Sequence, residues 1–324
     1  MPGTPQCTVG GVGPEDAGLL VGVDVGGTQV RAARVVAGQV QGLVSHPTPA
    51  QAGAAAVIDA IVRAVGEVGP GSRTRVGISS AGVIDPATGT VVAATDLIRG
   101  WAGTRLAEEV SDRLQLPVRV VNDVHGHALG EWHHGAGRGA SSMLLVAAGT
   151  GLGGALVSDG RLLIGAHHVA GHLGHVPCEQ AAGLRCSCGA TGHLESVASG
   201  SGLELLHRHL HPHSTPASSR AIAQAAADGD PDARRTVRTS GAALGAAIGG
   251  WCNLLDPSLV VVTGGLANAG ELWWESLREA QQQHVLPPAS DTAIVLAQHP
   301  DDAALLGAAS LFTHPSVPMT GDPS

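Results

Sequence analysis

The chain has 324 residues, 44% of them hydrophobic and 14% charged, enough to bury the core of one large domain or two ordinary ones and too apolar for wholesale disorder. Its net charge of −9 leaves no basic face for a nucleic-acid backbone, and all 18 of its Lys+Arg residues are arginine, which excludes a P-loop lysine, a protein-kinase phosphate lysine and a lysine Schiff base. One Phe (Phe312) and no Tyr also argue against a base-stacking surface.

Residues 1–18 are Gly/Pro-rich without a positive charge or apolar core, which predicts a mobile tail and no signal peptide. Residues 19–25, 30–36 and 40–44 are apolar runs separated by Gly26-Gly27-Thr28 and by Gly38, the pattern of strand, turn, strand, turn, strand. Helical periodicity covers 50–68, a short strand covers 74–79 and opens into Ser80-Ala81-Gly82, and 104–114 reads as a helix. A buried strand at 118–121 ends on Asn122-Asp123, followed by a helical stretch at 126–135. The opening pattern then returns as a strand at 143–148, the turn Gly149-Thr150-Gly151 and a strand at 154–157 that ends in a turn at Gly160. Residues 169–193 are irregular and rich in Gly, His and Cys, and the four histidines between 207 and 220 sit among Pro and Ser, which favours a solvated loop over a metal site. A small-residue helix at 240–255, a strand at 259–262, Gly264-Gly265 and an apolar helix at 303–311 complete the fold, and residues 313–324 read as a second tail. No apolar run has the length of a membrane span, and five cysteines, an odd number with two in Cys-x-Cys, read as reduced thiols of a cytoplasmic protein.

Two strand–Gly/Thr turn–strand units about 120 residues apart form a weak internal repeat, too long in period for a solenoid. A duplicated α/β lobe with a cleft between the halves fits it. At Asp24 to Thr28, glycines would let the backbone approach an anion and cradle phosphate oxygens, while the Asp24 carboxylate would need Mg²⁺ beside it; the alternative is a plain hairpin with a capping Asp. Gly149 to Gly154 matches G-x-G-x-x-G formally, but a strand follows where a dinucleotide site needs a helix, so a second phosphate hairpin is the better reading. Asp123, at a strand end between the two turns, could take a proton from a hydroxyl attacking a γ-phosphoryl group; the alternative is an Asn-Asp turn that opens the next helix. His175, Cys186, Cys188 and His193 lie within nineteen residues and supply four ligands for structural Zn²⁺, with redox cysteines or plain loop residues as the alternatives.

In order, Asp24-Val-Gly-Gly-Thr28, Asn122-Asp123, Gly149-Thr-Gly-Leu-Gly-Gly154, Gly174-His175, Cys186-Ser-Cys-Gly-Ala-Thr-Gly-His-Leu-Glu195 and Val262-Thr-Gly-Gly265 resemble the motif series of the ROK family of repressors, open reading frames and sugar kinases. The resemblance, closest to glucokinase-like members, runs from about residue 19 to 311. It implies a two-lobed actin-like ATPase/hexokinase (ribonuclease H-like) α/β fold with a central cleft, a small lobe at 19–125 joined by the helix at about 300–312, and a large lobe at 126–299 carrying the zinc loop 170–195. It implies ATP and Mg²⁺ as cofactors beside structural Zn²⁺, a small-molecule sugar as partner and a homodimer. By match Asp123 is the base on the 6-hydroxyl of glucose; Asn122, His175 and Glu195 hold the sugar, with Gly82 and His172 beside them. Gly26, Gly27, Thr28, Gly149, Thr150 and Gly151 hold phosphates, with Asp24 near the Mg²⁺, and Gly264 and Gly265 approach the adenosine. The pattern departs at His172, usually Glu, at His193, usually Cys, at Asp96, usually Asn, and at Ala81, often Pro. A kinase of N-acetylated or amino sugars is the alternative. A sugar-responsive regulator of the family is disfavoured because only eighteen residues precede the first strand.

Overall fold

In a computed structural model that describes residues 18–214 and 218–314, the first half of the chain builds one five-stranded sheet. β1 (Leu20–Val25), β2 (Gln29–Val36) and β3 (Gln39–Pro47) form an antiparallel meander. β4 (Arg75–Ser80) joins β1 in parallel, a two-stranded hairpin of β5 (Val83–Asp85) and β6 (Thr90–Ala93) follows, and β7 (Val118–Asn122) joins β4 in parallel. The order is β3-β2-β1-β4-β7. α1 (Ala54–Val68) presents Val57, Ile58, Ile61, Ala64, Val65 and Val68 on one buried stripe, the i, i+3, i+4 spacing that covers a sheet face. The single helix expected over 50–68 is broken, because Gly53 sits at φ 94°, between a 3₁₀ turn at Ala50–Ala52 and α1. α2 (Leu106–Leu114) buries Leu106 and Val110 in the same core.

α3 (Asp123–His134) begins three residues earlier than the periodicity suggests, because Asn122 caps it: the Asn122 side chain accepts hydrogen bonds from the N–H groups of Val124 and His125. The second sheet repeats the first. β8 (Ser142–Ala148) and β9 (Leu152–Ser158) are antiparallel, β10 (Arg161–Leu162) pairs antiparallel to β9, and β11 (Leu259–Thr263) and β12 (Ala293–Leu296) extend β8 in parallel. The order β10-β9-β8-β11-β12 matches that of the first sheet strand for strand, as the internal repeat anticipates. Helices α4 (Glu195–Ala198), α5 (Gly200–Leu210), α6 (Ser219–Ala227), α7 (Pro231–Leu255) and α8 (Glu271–His284) surround this sheet. α7 starts at Pro231, capped by Asp230, well before the small-residue run that marks it in the sequence. α9 (Ala303–Ser310) lies on β1 and β4 and packs along α3, so these two helices join the halves.

The histidine-rich stretch is not a solvated loop at its start. His207 lies inside α5, 1% exposed, with Nδ1 2.8 Å from the Thr236 hydroxyl and Nε2 2.9 Å from the Ser214 hydroxyl. Pro and Ser dominate the local composition, but the apolar face of Leu203, Leu206 and Leu210 extends the helix through it. Thr313 and His314, read as the start of a tail, are held too: the His314 ring stacks on His133 at 3.8 Å. The remainder of both predicted tails, 1–17 and 315–324, lies outside the described residues. Among the described residues, no helix is long and apolar enough to cross a membrane.

Candidate active site and metal centre

The turn after β1 is closed by a hydrogen bond from the Gly26 N–H to the Gln29 carbonyl and by the Thr48 hydroxyl, which donates to the Gly26 carbonyl at 2.7 Å. The Leu97 side chain lies directly over Gly27. Asp24 sits opposite Arg31 in the β1–β2 register, and the guanidinium donates to Asp24 Oδ2 through Nη2 at 2.9 Å and Nε at 3.3 Å. The negative charge expected to need a metal ion is therefore compensated in part by an arginine. Arg31 Nη2 also donates to the Asp301 carbonyl at 2.6 Å, which ties the turn to the segment leading into α9.

Asp123 is the first residue of α3 and half-buried. Its Oδ1 accepts from the Val124 N–H at 2.9 Å and from Asn122 Nδ2 at 2.8 Å, while Oδ2 has no donor among the described residues. The same Asn122 amide donates to the Gly82 carbonyl at 2.8 Å, so Gly82, Asn122 and Asp123 form one bonded unit. Burial pushes the Asp123 carboxyl above the ordinary carboxylate range; His127, the Val124 N–H and Asn122 act against that, and Asp24 reinforces it. A raised carboxyl is a stronger base than a free one.

The second turn, Gly149-Thr150-Gly151, meets the start of α5. The Gly200 N–H donates to the Gly149 carbonyl at 2.7 Å, and the Ser201 hydroxyl donates to the Thr150 carbonyl at 2.6 Å. Gly264 presses against Ala148 and Gly149, where a Cβ would stand 2.5 Å from the Ala148 carbonyl. Beside this turn opens a cavity of about 760 Å³, large enough for a nucleoside, bounded by Gly149 and Thr150, by Gly200, Ser201 and Glu204 of α5, by Arg220 and Gln224 of α6, and by Gly265 to Gly270. Sequence reasoning places Gly149, Thr150 and Gly265 here and misses Ser201, Glu204, Arg220 and Gln224. The readable signal was Ser199, an N-cap that accepts from the Gly202 N–H and aims a helix start at the turn.

His172, His175 and Glu195 come from the irregular segment and from α4. The Glu195 carboxylate accepts at Oε2 from the Leu152 N–H at 3.0 Å and at Oε1 from Cys186 and Ser187, so it joins the second turn to the cysteine loop. Burial raises its pKa, but these hydrogen bonds outweigh burial and hold it below the usual value. A Cβ on Gly151 would stand 2.8 Å from Glu195 Oε2. The His172 ring lies 6.0 Å from that of His175, and its Nδ1 lies 3.0 Å from the Val169 carbonyl. Because a carbonyl only accepts, this Nδ1 carries the proton and Nε2 of the neutral ring is an acceptor.

Donor atoms of His175, Cys186, Cys188 and His193 all lie within 4.8 Å of one another. Cys186 Sγ is 3.5 Å from His175 Nδ1, and Cys188 Sγ is 3.3 Å from His193 Nδ1. A tetrahedral Zn²⁺ with ordinary bond lengths puts sulfur and nitrogen about 3.6 Å apart, so the donor set fits the ion in type and spacing. Cys178 stands apart from this set; its thiol donates to the Gln180 side chain.

Two five-stranded sheets of one topology, each with a glycine turn after its first strand, define a protein of the actin-like ATPase and hexokinase fold. The profile of the ROK family matches residues 20–314. A glucokinase of Halalkalibacterium halodurans is 32% identical over 307 residues, covering 89% of this chain and 92% of that protein. An N-acetyl-D-glucosamine kinase of Escherichia coli is 32% identical over 305 residues, covering 90% and 99%. The crystal structure of a ROK family glucokinase from Streptomyces griseus, in complex with glucose and AMPPNP, superposes with a TM-score of 0.76 at 32% identity, covering 91% of this chain and 99% of that one. The chain belongs to the ROK family.

Proposed function

We propose that this ATP-dependent sugar kinase phosphorylates the 6-hydroxyl of glucose, with Asp123 as the general base. The observation that carries the reading is the Asp123 carboxylate, fixed through Oδ1 and with Oδ2 free of a hydrogen-bond donor among the described residues. As the sugar oxygen attacks the γ-phosphorus, its proton passes to Asp123 Oδ2, the bond to the bridging oxygen breaks, and ADP leaves. The turns at Gly26 to Thr28 and Gly149 to Gly151 hold the phosphates, Mg²⁺ near Asp24 would offset the charge that develops on them, and the cavity beside Gly265 takes the adenosine. Gly82, Asn122, His172, His175 and Glu195 surround the sugar. A coupled ADP-release assay over hexoses, amino sugars and N-acetylhexosamines tests the reading: turnover highest on glucose is the expected result, and no turnover on any sugar overturns it.

N-acetylhexosamine is the second reading, supported by the Escherichia coli relative. His172 separates the two. In the neutral ring its Nε2 is an uncharged acceptor, whereas a carboxylate there would accept a sugar hydroxyl with roughly 1.5–3 kcal/mol of hydrogen-bond energy. On the glucose reading, His172→Glu lowers the glucose KM by up to about tenfold for each ~1.4 kcal/mol recovered. An unchanged glucose KM with a collapse of N-acetylhexosamine turnover would instead favour the second reading.

His175, Cys186, Cys188 and His193 hold one structural zinc in this reading. A closed site of four protein ligands orders the loop and leaves no position for activating water. Elemental analysis of purified protein is expected to find about one zinc per chain, and Cys188→Ser to weaken metal affinity at least about tenfold and raise the sugar KM, since His175 loses its orientation. Fully active protein free of zinc would remove the metal from the reading.

A further inference from the structure

The loop after β10 reaches the other lobe. It is anchored at its far end, where the Gly154 N–H donates to the Gly171 carbonyl at 2.7 Å and His125 Nε2 of α3 lies 3.3 Å from the Ala170 carbonyl. From that anchor it carries His168 to the β5–β6 hairpin of the other lobe, where His168 Nε2 lies 3.8 Å from Asp85 Oδ1. Asp85 is itself held in place, its Oδ1 accepting from the Ala87 N–H at 3.0 Å and its Oδ2 from the Thr88 hydroxyl at 2.8 Å.

His168 sits there under two unfavourable conditions. Its φ is +60°, in the left-handed region that non-glycine residues adopt at a cost. Its Nδ1 is buried without a hydrogen-bond partner among the described residues. Strain of this kind persists where surrounding structure over-determines it, and it clusters at ligand clamps and switches. The side chain that bears both penalties is also the one that contacts the hairpin of the other lobe.

We propose that His168 and Asp85 form a clasp between the lobes on the sugar side of the cleft, and that His168 is a positioning residue for sugar binding. The inference rests on the sugar-kinase reading for its effect on substrate, though not for the clasp itself. The β5–β6 hairpin leaves directly from Gly82, and the His168 loop runs directly into His172, so the clasp joins the two segments that would wall the sugar. The candidate sugar residues come from both lobes, whereas the nucleotide cavity is lined from residue 149 onward only. Loosening the lobes should therefore reduce the population competent for sugar more than it weakens nucleotide binding, whose adenosine part stays within one lobe while Gly26 to Thr28 reach only the phosphates.

The test is His168→Asn, with Asp85→Asn as its partner variant. Asn tolerates a left-handed backbone better than His does, so the first change removes the imidazole without adding strain. Asn at 85 keeps an oxygen for the Ala87 N–H and removes the charge. Both variants are expected to raise the glucose KM about two- to fivefold, the range a partly exposed polar contact supports, with a smaller change in the ATP KM. Hydrogen exchange at the amides of 83–93 and 163–170 in the sugar-free protein should quicken by a similar factor, while His168→Asn melts at the parent temperature or above. Unchanged exchange in both segments overturns the clasp. Faster exchange with an unchanged sugar KM overturns the positioning role. A parent protein that phosphorylates no sugar refutes the kinase reading instead, and the exchange measurement still decides the clasp.

Discussion

Asp123→Asn lowers kcat by about 10²- to 10⁴-fold, the range typical of a general base, and leaves fold and sugar affinity close to the parent. The shape survives because Asn Oδ1 can still accept from the Val124 N–H and from Asn122, the two bonds that fix this side chain at the head of α3. What disappears is Oδ2, the atom left open to receive the proton. The pH profile supplies an independent check. A base must be ionised to act, so kcat/KM falls as pH drops through its pKa. With the Asp123 carboxyl raised by burial, that acid limb lies above the position of an ordinary carboxylate, and it vanishes from the residual activity of the variant. Stopped or steady-state ADP release from pH 4 to 9 reads both effects. Near-normal turnover in the variant would take Asp123 out of the chemistry.

Gly307→Ala destabilises the protein by about 3 kcal/mol or more, at the upper end of overpacking effects. α3 and α9 cross with their backbones in contact: a Cβ at Gly307 would stand 1.8 Å from the Gly126 carbonyl oxygen and 2.7 Å from the Gly130 nitrogen. Neither neighbour is the end of a flexible side chain, so the helices themselves must separate. Activity should fall with stability, since α3 carries Asp123 at its first residue. Denaturant unfolding of the purified variant measures the loss. Gly250→Ala in α7 is the matched control: nothing lies within 4 Å of its Cβ position, and helix propensity there predicts a gain of up to about 1 kcal/mol. Equal stability of the two variants would show that the α3–α9 contact yields without penalty.

The strands around both glycine turns, the buried strand ending at Asn122 and the apolar helix at the end of the chain were legible in the sequence. Each rests on short-range physics: alternating or continuous apolar residues seek a sheet, and Gly-Gly-Thr or Gly-Thr-Gly can only turn. The His/Cys cluster was legible for the same reason, since His175, Cys186, Cys188 and His193 lie close along the chain and in space. The Asn-Asp pair was ambiguous between a catalytic carboxylate and a helix cap. The structure makes Asn122 the cap and leaves Asp123 with a free oxygen at the helix start.

Other features were decided only by tertiary structure. Arg31 reaches Asp24 through strand register and Asp301 across 270 residues of sequence. Ser201, Glu204, Arg220 and Gln224 become cavity walls because α5 and α6 are docked against the second turn. His207 is buried by the helix it completes, against the polar composition around it. Gly307 leaves no room for a Cβ only because Gly126 lies opposite it. The physical reason is common to all four. Local periodicity and turn chemistry report the preferences of a few neighbouring residues, whereas partners brought together by closing long loops are chosen by packing of the whole chain, and no segment carries that information alone.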